Sequence, residues 1–315
     1  MLRPMQVVEA VQRAEAVREF ALAPADGRHL DGFAAGAHVE CEVRLPDGRS
    51  GMRAYSLVNA PGEIDAYRIA VALSGNGRGG SRFMHGLGVG DTIRVGSPRN
   101  DFPLVTTATE SLLIAGGIGI TPILAMARAL GGRGAEIHYA GRHRAAMAYA
   151  DEVAAMPGAR LVCDGGDPAK GLDLQALVAG PREGRHLYVC GPRPLIAATL
   201  AAARAAGWPD ARLHFELFGA DDPQAGDRPF TAVFARSGKT AEVPVGRTIL
   251  EVMEAIGLDP LFDCRRGECG ICVTDVIEGE PDHRDMNLSE REKRAGKLIC
   301  TCVSRAKGER LVLDA

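Results

Sequence analysis

Four cysteines in the carboxyl-terminal part of this 315-residue sequence have the spacing of ligands for an iron-sulfur cluster; they are Cys264, Cys269, Cys272 and Cys302. The pattern C-x4-C-x2-C with one later cysteine is typical of thiolates that hold a 2Fe-2S cluster. Gly267 and Gly270 would let the loop curl so that its backbone N–H groups point at the sulfurs, which helps to set the reduction potential. The sequence therefore predicts a one-electron redox centre.

Two alternatives remain open at this site. A structural zinc ion could replace the cluster, although structural zinc sites usually draw their ligands as two close pairs. The fourth ligand could be Cys300 or Cys302, which are two residues apart and are expected to face the same side of a strand; the spacing favours Cys302. The other cysteines, Cys41, Cys163 and Cys190, stand singly in apolar strands and are expected to be buried small hydrophobic residues.

A second group of candidate residues lies in the segment Arg-Ala-Tyr-Ser-Leu, which ends at Leu57. We expect Arg53, Tyr55 and Ser56 to project to one face of a strand. There the guanidinium could meet a phosphate, the ring could pack against a flavin, and the hydroxyl could hydrogen-bond near the reactive flavin nitrogen. Taken alone, the motif fits a half-exposed strand with a surface arginine better than a flavin site.

Glycines in front of a short helix give this motif more weight. Gly79, Gly80 and Ser81 precede a predicted helix at Arg82–His85. We expect Ser81 to cap that helix and the preceding backbone N–H groups to be available for a phosphate. The alternative is an ordinary capped turn.

A third motif, GGIGITP at residues 116–122, follows a buried apolar strand and opens a helix. A pyrophosphate-binding turn has this placement, although the sequence is not G-x-G-x-x-G. Cys190, Gly191 and Pro192 end a later strand of the same pattern, where a nicotinamide could be reached, and Glu216 and Phe218 end the last strand. The alternative for the turn at 116–122 is a tight turn that binds no ligand. The alternative for the later residues is a role in packing only.

The surrounding patterns divide the chain into three predicted domains. Residues 1–104 show short strands of period two separated by turns, as in an antiparallel β-barrel. Residues 105–222 alternate buried strands and helices, which predicts a doubly wound α/β sheet that binds ligands at the carboxyl ends of its strands. An aperiodic linker is predicted at 220–229, and a strand-rich unit at 229–315 carries the cysteine cluster.

Composition excludes several classes of protein. The 37 basic and 40 acidic residues give a net charge of -3, without the basic excess that nucleic acid or an anionic membrane surface requires. The longest apolar stretch, Leu112–Ala127, is shorter than the roughly 20 residues that span hydrocarbon and is interrupted by glycines and a proline. The amino-terminal segment has no signal-peptide pattern. We therefore expect a cytoplasmic protein, in which clustered cysteines favour metal over disulfides.

Together and in this order, the motifs resemble the ferredoxin-NADP reductase superfamily, and specifically the phthalate dioxygenase reductase family, which includes the vanillate demethylase reductases. The resemblance covers nearly the whole chain, including the segment from Cys302 to Asp314, and supports Cys302 as the fourth ligand. It implies an FMN-binding barrel, a nicotinamide domain and a β-grasp-like plant-type ferredoxin domain. Electrons would pass from NADH to a terminal oxygenase, usually of the Rieske type.

The resemblance also assigns roles to individual residues. FMN would be held by Arg53, Tyr55, Ser56, Leu57, Gly80 and Ser81, and more weakly through the backbone of Ala70 and Val71. The nicotinamide nucleotide would be held by Gly117, Thr121, Cys190, Gly191 and Pro192, with Phe218 beside the flavin or nicotinamide ring. Of these, Ser56, Cys190 and Phe218 are expected nearest the reacting rings, where Cys190 would position rather than react, because no general acid or base is needed.

The choice of nucleotide should be made after the second strand of the nicotinamide domain, where the sequence reads Gly141-Arg142-His143-Arg144. An acidic residue there commonly binds the ribose of NAD, whereas an arginine can accommodate the 2'-phosphate of NADP. No acidic residue occurs between Gly141 and Asp151. The arginines thus oppose the resemblance, which favours NADH.

The electron acceptor and the oligomeric state are implied by the resemblance alone. We expect a monomer that docks on a terminal oxygenase, with Arg265, Arg266 and Glu268 edging an exposed docking surface over the cluster. The same cofactors could instead serve a cytochrome P450 or another acceptor. A flavin or ferric reductase with a structural zinc module is the alternative from a different class.

Overall fold

The computed structural model describes residues 2–75, 77–218, 224 and 226–315. The chain divides into two compact units. Residues 1–75 and 79–216 form the first unit, and residues 76–78 and 217–315 form the second. The predicted domain boundaries stay predictions, because this division does not separate the barrel from the α/β sheet, and residues 219–223 and 225 of the linker region lie outside the described residues.

An antiparallel six-stranded sheet opens the first unit, in the order β4-β3-β6-β1-β2-β5. Its strands are β1 (Arg3–Ala14), β2 (Val17–Pro24), β3 (His38–Arg44), β4 (Ser50–Ser56), β5 (Tyr67–Ala72) and β6 (Thr92–Val95). A bridge between Leu57 and Ile69 joins the two edges of the sheet, which closes it into a barrel. Apolar side chains from every strand but β4 are buried inside, and Tyr55 of β4 packs against them.

The sequence predicts turns between the barrel strands, and the turn between β3 and β4 is confirmed. The segment Leu-Pro-Asp-Gly turns β3 into β4, with Leu45 N–H donating to the Arg49 carbonyl at 2.8 Å and Gly48 at φ 82°. Glycine is suited to that left-handed backbone because it has no Cβ. Only one helix, α1 (Gly80–His85), occurs among the described residues of the barrel.

A parallel five-stranded sheet follows in the order β11-β10-β7-β8-β9. Its strands are β7 (Glu110–Gly116), β8 (Ala135–Gly141), β9 (Ala159–Cys163), β10 (Arg185–Gly191) and β11 (Leu213–Leu217), and its helices are α2 (Ile120–Leu130), α3 (Ala150–Ala154), α4 (Leu174–Val178) and α5 (Arg193–Ala205). The chain leaves β7 toward β8 and returns to β10 on the other side of β7. This reversal confirms the doubly wound sheet and makes the crevice between β7 and β10 its ligand-binding position.

The second unit is built on a mixed sheet of order β13-β12-β18-β14-β16 and a two-stranded sheet β15-β17. Its elements are β12 (Phe230–Phe234), β13 (Lys239–Val243), α6 (Ile249–Ala255), β14 (Val273–Glu278), β15 (Pro281–Asp282), α7 (Glu290–Ala295), β16 (Leu298–Cys300), β17 (Arg305–Ala306) and β18 (Arg310–Leu313). Strands β12 and β13 pair as an antiparallel hairpin. Thr248 and Glu251 form a capping box at the start of α6.

Within the described ranges, no helix is long and apolar enough to cross a lipid bilayer.

Candidate functional site

The two flavin motifs meet on the barrel. Arg53 lies on β4 and Gly80 begins α1, and the side chain of Arg53 packs directly against this glycine. A Cβ added at Gly80 would lie 3.0 Å from Cγ and 3.1 Å from Nε of Arg53. A larger residue at position 80 would require the side chain of Arg53 to shift by a few tenths of an ångström. The fold thereby brings together a cation and the backbone at the start of a helix, a combination that suits a phosphate.

The prediction that Arg53, Tyr55 and Ser56 share a face is wrong. Strand alternation places Arg53 and Tyr55 on one face and Ser56 on the other, because the side-chain period of a strand is two. Tyr55 is half-buried against the barrel core, and burial raises the pKa of its hydroxyl. Ser56 is the last residue of β4 and is buried.

The buried hydroxyl of Ser56 provides a test of whether a flavin fits. Ser56 is 5% exposed, and its Oγ has no hydrogen-bond partner among the residues that the structure describes. An unsatisfied buried hydroxyl costs about 1–3 kcal/mol. A polar ring edge bound at the end of β4 would satisfy this atom, so the residues fit a flavin.

The predicted cap at Ser81 is also wrong. Helix α1 begins two residues earlier than predicted, at Gly80, and Gly79 is the N-cap, with φ 92°. A side chain at Gly79 would collide with Pro46, whose Cδ lies 2.5 Å from the position of an added Cβ. The hydroxyl of Ser81 instead accepts a 3.1 Å hydrogen bond from Ser74 N–H, so it ties the helix to the end of the preceding strand.

The remaining flavin candidates lie on or beside the barrel edge. Leu57 is fully buried and bridges to Ile69. Ala70 and Val71 lie on β5 and are buried. The carbonyl of Val71 lies 2.8 Å from Nε2 of His85, so this backbone oxygen already has a partner within the protein. A flavin contact through the backbone of β5 stays a prediction.

The nucleotide candidates converge at the crevice between β7 and β10. An added Cβ at Gly119 would lie 2.3 Å from the Cys190 carbonyl oxygen, and one at Gly116 would lie 2.8 Å from Cδ of Pro192. Any side chain at these glycines would push the two loops apart. The turn therefore holds backbone against backbone at the reversal point of the sheet, where α/β folds bind nucleotides.

Individual side chains in this crevice have structural partners. Thr121 is buried, and its hydroxyl donates a 3.0 Å hydrogen bond to the Ile118 carbonyl, which stabilises the turn. Gly117 has φ 53° and open space around its Cβ position, as needed where a ligand approaches the backbone. Cys190 is fully buried at the end of β10, and Gly191 follows it.

Phe218 follows β11 and is half-buried. The division into units places it in the second unit, whereas the flavin and nucleotide residues belong to the first. Its position beside a flavin or nicotinamide ring therefore stays a prediction.

Two arginines follow β8, as predicted, but their surroundings differ. Arg144 is half-exposed and forms a 2.6 Å ion pair with Asp151. Arg142 is exposed just after Gly141, the last residue of β8. The acidic residue that the sequence places beyond the arginines is thus a partner for Arg144.

The cysteine loop carries the geometry expected of a cluster-binding loop. Backbone N–H groups of Arg266 and Cys269 each donate to the sulfur of Cys264 at 3.4 Å. Gly267 and Gly270 have φ values of 78° and 75°, as the predicted curl requires. Burial raises the pKa of the Cys264 thiol and these N–H groups oppose that effect, so the loop favours a thiolate when a cation is bound.

The inner cysteines lie together in the core of the second unit. The sulfurs of Cys272 and Cys302 are 3.2 Å apart, and Cys300 is buried in the same cluster. Hydrogen bonds from the thiols of Cys300 and Cys302 lower the pKa of Cys272 to about 3. Strand β16 ends at Cys300, so the expectation that Cys300 and Cys302 face one side of the same strand is wrong. The assignment of Cys302 as the fourth ligand stays a prediction.

A segment that the sequence analysis missed supports this loop. Met286 N–H donates to the Gly267 carbonyl at 2.9 Å, and the side chain of Asn287 donates to the Glu268 carbonyl at 3.1 Å. The buried carboxylate of Asp285 accepts from Leu288 N–H at 2.8 Å. No spacing rule links these residues to the cysteines, so only the folded chain identifies them.

Two further expectations are corrected by burial. Arg266 and Glu268 do not edge an exposed surface: their side chains are each 14% exposed, they pair at 3.2 Å, and Glu268 accepts a hydrogen bond from Leu217 N–H. Only Arg265 of the predicted rim is exposed, where it stacks on Phe262. Cys163 is exposed at the end of β9 rather than buried, because the edge strand stops there.

The closed barrel, the doubly wound sheet and the cysteine loop define an oxidoreductase with flavin and 2Fe-2S domains. Residues 4–103 match the oxidoreductase FAD-binding domain, and residues 233–307 match the 2Fe-2S iron-sulfur cluster binding domain. Residues 92–213 match the dimethylamine monooxygenase subunit DmmA-like, N-terminal domain. The match at 233–307 sets aside the zinc alternative.

Similarity to individual proteins identifies the family within this class. The chain is 40% identical to the phthalate 4,5-dioxygenase oxygenase reductase subunit of Pseudomonas putida, over 98% of this chain and 96% of that protein. It is 42% identical to the heme-dependent oxidative N-demethylase beta subunit of Ectopseudomonas mendocina, over 90% of each. The solved structure of a phthalate dioxygenase reductase, described as modular for electron transfer from pyridine nucleotides to [2Fe-2S], matches with a TM-score of 0.80 and 38% identity, covering 100% of this chain and 98% of that one. The chain belongs to the phthalate dioxygenase reductase family.

Proposed function

We propose that this protein is the reductase component of an oxygenase system, which takes electrons from NADH through FMN and a 2Fe-2S cluster and delivers them to a Rieske-type terminal oxygenase. The observation that carries the proposal is the presence, in one chain, of a flavin-fitting barrel, a nucleotide crevice and a cysteine loop. When bound, FMN would convert the two-electron hydride of NADH into single electrons for the cluster. We also propose a cytoplasmic protein that is a monomer apart from its oxygenase.

On the barrel, each proposed flavin residue has a distinct task. Arg53 would neutralise the phosphate beside the backbone of Gly80 and Ser81. Tyr55 would pack on the ring system. Ser56 would use its buried hydroxyl as a hydrogen-bond donor at the ring edge, which satisfies an atom that otherwise has no partner among the described residues. Leu57, Ala70 and Val71 would line the site.

In the crevice, Gly117 would let the backbone approach the pyrophosphate, and Thr121 would keep the turn closed. Cys190, Gly191 and Pro192 would border the nicotinamide, with Cys190 as a positioning residue. Phe218 would cover the flavin or nicotinamide ring. In the second unit, Cys264, Cys269, Cys272 and Cys302 would hold the cluster.

The experiment that tests the whole proposal is a reconstituted assay. Purified protein containing flavin and iron should support NADH-dependent product formation when it is mixed with its Rieske oxygenase component. Absence of a flavin spectrum, or a protein that NADH does not reduce, would contradict the proposal.

One observation favours a second acceptor class. The Ectopseudomonas relative is named as a subunit of a heme-dependent enzyme, so related chains are associated with haem proteins as well. A cytochrome P450 or another haem protein is therefore the second candidate acceptor. Reduction of such a partner, with no reduction of the Rieske centre, would favour it.

The identity of the flavin is the first specific prediction. Acid-released flavin should elute as FMN in chromatography, because the Arg53 and Gly80 contact provides one phosphate site. Arg53→Ala should weaken FMN binding by about tenfold to a hundredfold, since a charge-assisted hydrogen bond contributes roughly 1.5–3 kcal/mol. Arg94→Ala, which removes an exposed arginine from β6, is the matched control and should retain FMN. Release of FAD would refute the assignment.

Nucleotide preference is the second prediction. We expect kcat/KM for NADH to exceed that for NADPH, because Arg144, although exposed, is already paired with Asp151. Arg142→Ala and Arg144→Ala should leave the NADH value nearly unchanged. A preference for NADPH that both substitutions remove would show that these arginines bind the 2'-phosphate.

A further inference from the structure

A buried carboxylate on the barrel is hydrogen-bonded to the α/β part of the first unit. Glu19, on β2, is 3% exposed and accepts a 2.6 Å hydrogen bond from the hydroxyl of Tyr149. Arg13 donates to the same carboxylate at 2.9 and 3.1 Å, and Arg68 donates at 3.2 Å. Burial acts to raise the pKa of Glu19, but hydrogen bonds from Arg13 and Tyr149 outweigh it and hold that pKa below its usual value. Glu19 is therefore an ionised acceptor for the Tyr149 hydroxyl.

Tyr149 is held in an unfavourable backbone conformation to make this contact. It is the N-cap of α3 and has φ 58°, a left-handed value that non-glycine residues rarely adopt. The guanidinium carbons of Arg13 and Arg128 lie 5.5 and 5.8 Å from its ring centroid, within the range of cation–π attraction. Such strain persists only where the surrounding contacts maintain it, and it is concentrated at functional positions.

A single helix connects the two cofactor regions. Helix α2 starts directly after the glycine turn at the nucleotide crevice, and Arg128 lies in its last turn. From there Nη1 of Arg128 donates a 2.6 Å hydrogen bond to the carbonyl of Val58, two residues after Ser56. Eleven helical residues extend about 16 Å and behave as a rigid element. The end of the flavin strand is thus attached to the nucleotide turn by one helix.

We propose that Tyr149 and Arg128 are positioning residues that fix the nucleotide crevice against the flavin strand and so set the rate of hydride transfer. The inference rests on the proposed NADH-to-flavin activity. In that step NADH would lose a hydride, with its two electrons, to the flavin and become NAD⁺, and one proton from solvent would complete the reduced flavin. Neither residue touches the reacting atoms; each acts through the backbone that it holds. Orientation errors of about 1 Å can slow such a step by roughly a hundredfold.

The test compares three variants of the full-length protein. Tyr149→Phe removes one hydroxyl and keeps the ring, and Arg128→Met removes the contact with Val58. Arg204→Met is the matched control, because Arg204 also lies in the last turn of a helix and its 2.8 Å pair with Asp210 stays within the α/β part. The anaerobic rate of flavin reduction by NADH, per bound flavin, is measured by stopped flow. Long-wavelength absorption of the reduced protein with NAD⁺ reports ring stacking, and amide hydrogen exchange in residues 143–155 reports the contact itself.

In Tyr149→Phe and Arg128→Met we expect about tenfold slower flavin reduction, weaker long-wavelength absorption and faster exchange in residues 143–155. The deuterium isotope effect on flavin reduction, measured with labelled NADH, should rise in both variants, and their flavin content should stay that of the wild type. The control variant should reduce its flavin at the wild-type rate. Wild-type reduction rates per flavin in both variants would overturn the inference even if their thermal stability falls. Failure of NADH to reduce the wild-type flavin would instead overturn the proposed function. If one variant does not fold, the other decides.

Discussion

Cys302→Ser is expected to abolish the visible absorption of the iron-sulfur cluster and the electron paramagnetic resonance signal of the reduced protein, whereas Cys300→Ser should retain both. A serine hydroxyl replaces a soft thiolate ligand poorly, and iron-sulfur clusters are held by cysteine thiolates. Cys302 matches the ligand spacing, and its sulfur lies 3.2 Å from that of Cys272. Iron and sulfide content, measured on the purified variants, provides the quantitative comparison.

The structure makes this comparison informative, because Cys300 and Cys302 are both buried beside Cys272. Cys163→Ser, in the first unit, is the control for general effects of losing a thiol, since that side chain is exposed at the end of β9. If Cys300→Ser lost the cluster and Cys302→Ser kept it, the ligand assignment would be reversed.

Ending the chain at Asp222 should separate the two halves of the electron path. The shortened protein is expected to fold, because the first unit ends at Glu216 and has its own barrel core and parallel sheet. It should retain FMN and reduce ferricyanide with NADH at a rate close to that of the full chain, since a small acceptor can take electrons directly from a flavin. NADH-dependent turnover of the oxygenase should fall to background.

Full-length Cys302→Ser is the matched comparison for this truncation. It keeps the second unit while losing the cluster, so it should show the same pattern of retained ferricyanide reduction and lost oxygenase turnover. The truncation removes the whole second unit, whereas Cys302→Ser removes only the cluster. Comparing the two therefore shows whether the cluster itself is needed for oxygenase turnover. Oxygenase turnover by the shortened chain at the full-length rate would show that the cluster is not the exit for electrons.

Local patterns predicted the elements and the cofactor motifs because each depends on neighbours in sequence. The cysteine spacing describes one loop whose backbone N–H groups must face its sulfurs, and the structure places those of Arg266 and Cys269 on Cys264. The glycine turn after β7 was recognisable for the same reason, since a tight turn between a strand and a helix requires small residues within a few positions.

The errors arose where a side chain's environment depends on distant segments. Ser81 was expected to cap a helix, but the hydroxyl is used by Ser74 at the end of the previous strand. Arg266 and Glu268 were expected to edge an exposed docking surface over the cluster, yet they pair with each other and Glu268 also accepts a hydrogen bond from Leu217 N–H. The face of Ser56 was a different kind of error, because simple alternation along β4 already excludes a shared face with Tyr55.

From the sequence, ligand spacing and strand periodicity predicted a flavin domain and a 2Fe-2S domain, because these patterns are properties of short segments. Only the tertiary structure decided which residues that are distant in sequence contact each other. Glu19 and Tyr149 are separated by 130 positions, and no periodicity relates them. Burying a carboxylate is costly unless donors surround it. Arg13 and Arg68 come from the barrel itself, and the packing of the barrel against the parallel sheet adds Tyr149.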